Sequence, residues 1–256
     1  MHAAGNASDL EIYARMSAAL NATGRPITFS LCQWGGQHVY KWGGDFAQMF
    51  RVQMDHLPLW YGPKTAAGAG IGQGTLQVIE YMAQLVPSKW TRRFGWMDPD
   101  FLMTLYWPTM DFVASRSEYT FWSLWSAPLL VATDVRALSE QKRQILLNRE
   151  VIAINQDESA TAGNRLRSET SGAQLWARDL QNGDKAIVLF NGQRTAMGPH
   201  LNVSCTWRDL GWPEHTHVRI RDLWARADVG VFVSSFTAIA VPPRDVRFLR
   251  LTRMQN

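Results

Sequence analysis

Ile27-Thr28-Phe29-Ser30-Leu31-Cys32-Gln33-Trp34 is the stretch on which the reading of this fold turns. It is short, rich in β-forming residues and fenced by Pro26 and Gly35, which is the composition of a buried strand that ends in polar side chains. Ahead of it, Leu10, Tyr13, Ala14, Met16 and Leu20 fall at near-helical spacing, and the segment from Asn21 to Pro26 supplies a turn. Helix, turn and buried strand predict a βα architecture, in which chemistry is carried at the C-terminal ends of the strands.

Downstream the unit recurs. After a connection containing Gly35, Gly36, Gly43 and Gly44, a second strand is predicted from Met49 to Asp55, then a loop and a helix from Thr75 to Leu85. The segment Phe94 to Phe101 reads as a third strand end rich in carboxylates, followed by a mostly apolar helix from Ser117 to Ser126 that carries Tyr119, Phe121, Trp122 and Trp125. Pro128 to Asp134 is the fourth strand, and Ser139 caps a helix that runs to Asn148. Four parallel strands are half of an eightfold barrel and cannot close at the usual tilt and shear. From about Ala160 the pattern changes to short alternating runs, Ala173 to Ala177 and Ala186 to Phe190, separated by Asn182-Gly183-Asp184 and Asn191-Gly192. Further runs at Thr206-Trp207, Val218 to Trp224, Val229 to Phe232 and Val246 to Leu251 predict a small antiparallel sandwich, with a domain boundary near residue 158. The expectation is a partial barrel over 1–158 and a β domain over 159–256.

Composition narrows the function classes. The 256 residues are 46% hydrophobic, enough to fold. The formal charge of +4 comes from 26 basic and 22 acidic residues scattered without long like-charge runs, which argues against a nucleic-acid partner. The longest apolar patch, around Ala127 to Ala132, falls far short of the roughly 18 residues that would span a bilayer. No membrane association is expected, and the segment from Met1 to Asp9 has neither the basic start nor the apolar core of a secretory signal. Cys32 and Cys205 lie far apart and predict free thiols, and no His/Cys/Asp spacing suggests a metal or cofactor site. Acceptor sequons begin at Asn6, Asn21 and Asn202. Twelve tryptophans are many for this length, and indole faces stack well on sugars, although most must fill the core.

The motifs resemble those of one family. Thr23-Gly24-Arg25-Pro26-Ile27 with Ser30-Leu31-Cys32-Gln33-Trp34-Gly35 is similar to the "TGRPI…S.CEWG" segment of the melibiase-type α-galactosidases (glycoside hydrolase family 27, clan D). Trp96-Met97-Asp98-Pro99-Asp100-Phe101 resembles their "WNDPDM", the segment from Glu150 to Asp157 their "EVIAINQD", and Arg221-Asp222-Leu223-Trp224 their "RDLW". These matches keep the family's order over nearly the whole chain. The resemblance implies the second half of a (β/α)8 TIM barrel followed by a C-terminal antiparallel β-sandwich domain. It also implies hydrolysis of terminal α-linked galactose with retention, by two carboxylates about 5 to 5.5 Å apart.

The family's general acid/base sits in a "WRTTGD" motif. Aligning Trp42 with the tryptophan before it lays Phe50-Arg51-Val52-Gln53-Met54-Asp55 on that motif, with Arg51 and Asp55 both matching. Asp55 is the expected acid/base and Asp45 its competitor. The resemblance makes Arg51 and Asp100 contacts of sugar hydroxyls, and Trp34 and Phe101 parts of the sugar pocket. It also places Gln33 where relatives use Glu to read the 2-hydroxyl, while Trp96 and Asp98 hold the loop. Gln keeps hydrogen-bonding capacity without charge. His56 reads as structural. The nucleophile belongs to a "K.D" element on an earlier strand, expected upstream of residue 1. The implied partners are galactose-containing oligosaccharides or glycoconjugates, a homodimer is allowed for, and the full-length parent would be secreted or lysosomal. Two rivals stand beside this reading: a non-catalytic remnant, and a relative that acts on another α-galactoside-like sugar.

Overall fold

A computed structural model describes residues 8–62, 72–106 and 108–254. The sequon at Asn6 lies outside them. Helix α1 (Asp9–Ala22) begins with a capping box: the Ser8 hydroxyl accepts from the Glu11 amide and the Glu11 carboxylate accepts from the Ser8 amide. Strand β1 (Ser30–Leu31), α2 (Gly43–Phe46), β2 (Met49–Arg51), α3 (Thr75–Leu85) and β3 (Trp96–Asp98) follow. The three strands form one parallel sheet in the order β1-β2-β3, with Ser30 opposite Met49 and Met49 opposite Trp96.

The fourth expected strand, 128–134, is corrected by the structure to a single parallel bridge between Leu102 and Val131. Its partner is a loop, and Pro128 has no amide to donate, so the ladder stops after two bonds, Leu102 N to Leu130 O and Ala132 N to Leu102 O. The second strand is also shorter than the predicted 49–55, because the chain bends after Arg51 to bring Asp55 back toward that side chain. Helix α4 (Phe112–Leu124) starts five residues before the predicted Ser117, where Asp111 caps the Ala114 amide. Helices α5 (Glu140–Leu146) and α6 (Arg149–Asn155) complete this half, α5 capped by Ser139 as predicted.

The rest is β: β4 (Asn164–Ser168), β5 (Ala173–Asp179), β6 (Lys185–Asn191), β7 (Leu201–Thr206), β8 (His217–Asp222), β9 (Ala227–Val233), β10 (Ser235–Val241) and β11 (Val246–Arg253). A six-stranded antiparallel sheet, β4-β5-β6-β11-β8-β9, lies against the β7–β10 pair. Strand periodicity explains why β6 reads as almost wholly apolar and why β5 and β11 carry apolar residues on both faces. Leu175, Ile187, Leu189, Leu249 and Leu251 face the sandwich core, while Trp176, Ala186, Val188, Phe190 and Phe248 face the helical half.

Helix α4 is the element between the two halves. Phe121 is fully buried, with ring centroids 5.4 Å from Trp125, 5.1 Å from Trp176 and 5.0 Å from Phe190. Polar bonds surround this cluster: Arg116 pairs with Asp245, Ser117 donates to Arg244 O, and Trp224 Nε1 donates to Thr120 Oγ1. Arg178, 2% exposed, donates through Nη1 to Ser123 O and Ile154 O at the C-terminal ends of α4 and α6, where a cation meets the negative end of each helix dipole. Truncation of Phe121 removes an aromatic contact to both halves at once. Phe121→Ala is therefore expected to cost about 3–5 kcal/mol in denaturant unfolding monitored by tryptophan fluorescence. A cost under about 1 kcal/mol would mean that the halves do not share this core.

Candidate active site

The three parallel strands end on the same side, and the polar residues that follow them meet there. Arg51 closes β2 and is 8% exposed. Its Nη2 lies 2.7 Å from Asp100 Oδ2 and 3.0 Å from Asp55 Oδ1, and it donates to Gln53 O at 3.3 Å. A buried guanidinium requires such partners, and here two carboxylates supply them. They differ in access: the Asp55 side chain is 50% exposed and that of Asp100 only 10%. Asp55 is therefore the more accessible carboxyl of the two, held by the Arg51 cation.

Asp100 is fixed from every direction. Its φ of 84° is left-handed for a residue with a side chain, a conformation that persists only when its surroundings enforce it. Asp98 Oδ1 accepts from the Asp100 amide at 2.8 Å, and Trp122 Nε1 donates to the Asp100 carbonyl at 2.8 Å. The Asp100 carboxylate accepts from the Phe101 amide at 2.7 Å and the His56 amide at 2.9 Å as well as from Arg51. Of about four acceptor positions on a carboxylate, one remains for a ligand hydroxyl. Burial pushes the Asp98 carboxyl up to about 6, partly offset by the Asp100 amide and Arg51.

Gln33 turns elsewhere. Its Nε2 donates to Asp9, and Tyr13 of α1 donates to its Oε1 at 3.1 Å, so its carboxamide is engaged by the first helix rather than by Arg51. Trp34 follows with a φ of 53° and 44% exposure, and Phe101 is 48% exposed. Gly35, at φ +80°, could not be another residue, since a Cβ there would lie 2.3 Å from Val52 O. Cys32 and Cys205 are free; the Cys32 thiol lies 3.9 Å from Arg51 Nη1 and is pushed up by burial, an effect that the guanidinium opposes. Asp45 is not part of this cluster. It sits on α2, ahead of β2, and pairs with Arg92. A cavity of about 630 Å³ opens at the N-terminal ends of the strands, lined by Thr28, Met49, Trp96 and Pro128 among others, and contains none of Asp55, Asp98 or Asp100.

Two buried ionisable groups lie behind the site. His56 is 2% exposed, and its Nδ1 faces Phe101 O at 2.8 Å, which only an N–H can serve. Nε2 is then the acceptor for the Thr75 hydroxyl at 3.0 Å, and burial lowers the imidazole to about 4, so the ring is neutral. This agrees with its reading as a structural histidine. Glu118, fully buried on α4, escaped the sequence analysis. Its only signal is the spacing Ser115, Glu118, Trp122, three polar-tipped side chains on one face of an otherwise apolar helix.

Half of a parallel βα barrel with an Arg–carboxylate cluster at the strand ends, joined to an antiparallel sandwich, is the layout of a barrel-type glycosidase with an appended β domain. The chain belongs to the melibiase-type α-galactosidase family. The family model described as Alpha galactosidase A matches residues 3–157, and the Alpha galactosidase C-terminal beta sandwich domain matches residues 170–251. An α-galactosidase of rice, Oryza sativa subsp. japonica, is 34% identical over 250 residues, covering 96% of this chain and 54% of the rice protein. One from Cyamopsis tetragonoloba is 31% identical over 214 residues, covering 84% of this chain and 47% of that protein. The crystal structure of α-galactosidase I from Mortierella vinacea superposes with a TM-score of 0.87 at 27% identity, over 95% of this chain and 62% of that one. The chain spans about half the length of the curated relatives it matches.

Proposed function

We propose that these residues form the acid/base half of a retaining α-galactosidase site, acting on terminal α-galactosyl groups of oligosaccharides or glycoconjugates. The observation that carries this reading is the asymmetry of the Arg51 cluster: one exposed carboxylate, Asp55, and one buried carboxylate, Asp100, share a single buried guanidinium. In the reaction Asp55 donates a proton to the glycosidic oxygen as the C–O bond breaks, while a second carboxylate attacks the anomeric carbon. Asp55 then takes a proton from the water that releases galactose. Arg51 holds Asp55 toward the scissile bond, and the remaining acceptor position of Asp100 takes a sugar hydroxyl. Trp34 and Phe101 offer exposed aromatic surface to the pyranose.

In this reading the second carboxylate lies outside these 256 residues. Asp100 is tied by Arg51 and two amides, Asp98 is 3% exposed and bonded to the Asp100 amide, and Asp45 pairs with Arg92. Asp98 does not share Asp55's outlook on solvent, and Asp45, although exposed, is bonded to Arg92 rather than to Arg51. Trapping the covalent intermediate tests this. A 2-deoxy-2-fluoro-galactosyl fluoride, incubated with a form of the protein that turns over, should leave a galactosyl ester that peptide mapping places outside residues 1–256. An ester on Asp45, Asp98 or Asp100 would overturn the assignment.

A further inference from the structure

Several polar backbone groups of the loop that carries Asp100 and Phe101 are held by side chains from outside it. Trp122 Nε1 donates to Asp100 O and His56 Nδ1 to Phe101 O. The Met103 amide donates to Glu118 Oε1 at 2.6 Å, the Thr104 hydroxyl to Glu118 Oε2 at 3.1 Å, and the Leu105 amide to Ser115 Oγ at 2.8 Å. Asp100 and Leu105 both have positive φ, 84° and 53°, so the loop starts and ends in conformations that non-glycine residues hold only under constraint. Ser115, Glu118 and Trp122 share one face of α4, while Ser117 and Phe121 on other faces bind the β domain.

We propose that Glu118 is the positioning residue of the sugar-facing loop: it fixes Met103 and Thr104 and, together with His56, keeps Asp100 seated against Arg51. The assignment of a sugar to this loop rests on the function proposed above; the anchoring itself does not.

Geometry makes the neutral acid the form that fits. The Glu118 side chain is 0% exposed, and the ionisable group nearest it is His56, whose Nδ1 lies 3.8 Å from Oε1 with its N–H already given to Phe101 O. Arg51 and Asp100 act on His56 from beyond, and their charges oppose one another there. On α4 itself, Arg116 is turned to Asp245, and Arg178 from β5 binds Ser123 O. Thus no cation among the described residues is bonded to Glu118, and burial pushes its carboxyl up to about 8, against the pull of the Met103 and Thr104 bonds. Because the folded value lies above the ordinary 4.5, Glu118 contributes stability that is complete below about 4.5 and is lost as pH rises to about 8. His56 works the other way, losing stability as pH falls from 6.5 to about 4.

Glu118→Gln reproduces the neutral acid: Oε1 still accepts from Met103, and the amide donates to Thr104 Oγ1 as the Oε2–H of the neutral acid does once the Thr104 hydroxyl turns from donor to acceptor. Glu118→Ala leaves both loop donors without a partner. In the 256-residue chain, followed by hydrogen exchange on peptides covering 99–106, Glu118→Ala is expected to expose the Met103 and Leu105 amides at any pH. Wild type should lose protection, beyond the intrinsic acceleration, as pH rises through about 8, and Glu118→Gln should keep it. Unchanged exchange in Glu118→Ala, or loss in Glu118→Gln in step with wild type, overturns the proposal. In a turnover-competent form, Glu118→Ala should lower kcat/KM by about 100-fold, as a displaced binding group does. Glu118→Gln should stay close to wild type at pH 7 and lack wild type's alkaline fall. A wild type without turnover would count against the α-galactosidase reading alone, because the exchange measurement does not depend on activity.

Discussion

Expressed by itself, the 256-residue chain is expected to release no p-nitrophenol from p-nitrophenyl α-galactoside by a retaining route, whereas a barrel completed with the unmatched portion of the rice relative is expected to do so. A retaining glycosidase without its nucleophile has no glycosyl-enzyme intermediate, and removal of a covalent catalytic group lowers turnover by several powers of ten. The structure adds a second reason. The parallel sheet has edges at β1 and β3, and Ile27 and Phe94 near those strands, with Val131 at the isolated bridge, are exposed apolar side chains. Unpaired parallel edges favour association of chains over a single ordered pocket. Helix α1 shows the same shortage of partners: it has no buried residue, and its Leu10 and Met16 face outward. Completing the barrel would cover these faces as well as supply the carboxylate. A time course for the isolated chain and the chimera, at equal concentrations of monodisperse protein, separates the two. Robust hydrolysis by the short chain would show that one of its own carboxylates attacks the sugar, and the proposed division of labour would fail.

How much of this could be seen in the sequence depended on what each residue signals locally. The βα order, the α3 span and the Ser139 cap were legible because apolar period and capping chemistry are encoded within a few residues. The turn at Asn182-Gly183-Asp184 was equally plain, since Gly183 takes a φ of 85°. Strands β4 and β10 were not foreseen. Asn164–Ser168 alternates polar with apolar so weakly, and Ser235–Val241 uses such small residues, that only pairing with β5 and β7 makes them strands. The fourth parallel strand was legible as an apolar run, but its ladder depends on neighbours that no run of residues can declare. At the candidate site, motif spacing singles out Arg51 and Asp55, and the structure brings them together with Asp100. Gln33 was found in the same way, yet its bonds to Asp9 and Tyr13 could not be read, because they depend on how α1 packs across β1. Glu118 lacked any signal stronger than its spacing, since a lone acid in a helix ordinarily marks a solvated face.

In the completed barrel, Asp55→Asn is expected to lower hydrolysis by about 10²- to 10⁴-fold, the range general acid–base groups contribute, and Asp45→Asn to leave it nearly unchanged. The amide has the volume of the acid, and its oxygen can still accept from Arg51, so Arg51 and Asp100 should keep their positions and galactose its affinity. The missing proton then matters according to the leaving group. A p-nitrophenolate departs with little help, whereas a sugar hydroxyl must be protonated as it leaves, so loss of the first step should be much larger for an oligosaccharide than for the aryl galactoside. The second step suffers in both cases, because the amide cannot deprotonate water, and a galactosyl-enzyme should accumulate. Azide needs no base. Its addition to Asp55→Asn should therefore restore release of p-nitrophenol and yield α-galactosyl azide, with retention, while leaving wild type almost unaffected. Asp45 can be placed by the same measurements. It is bonded to Arg92 rather than to Arg51, and a neutral substitution there removes an exposed ion pair worth at most about 1 kcal/mol. A collapse of turnover in Asp45→Asn, with azide rescue in that variant and not in Asp55→Asn, would transfer the acid/base role to Asp45 and break the link between the Arg51 cluster and catalysis.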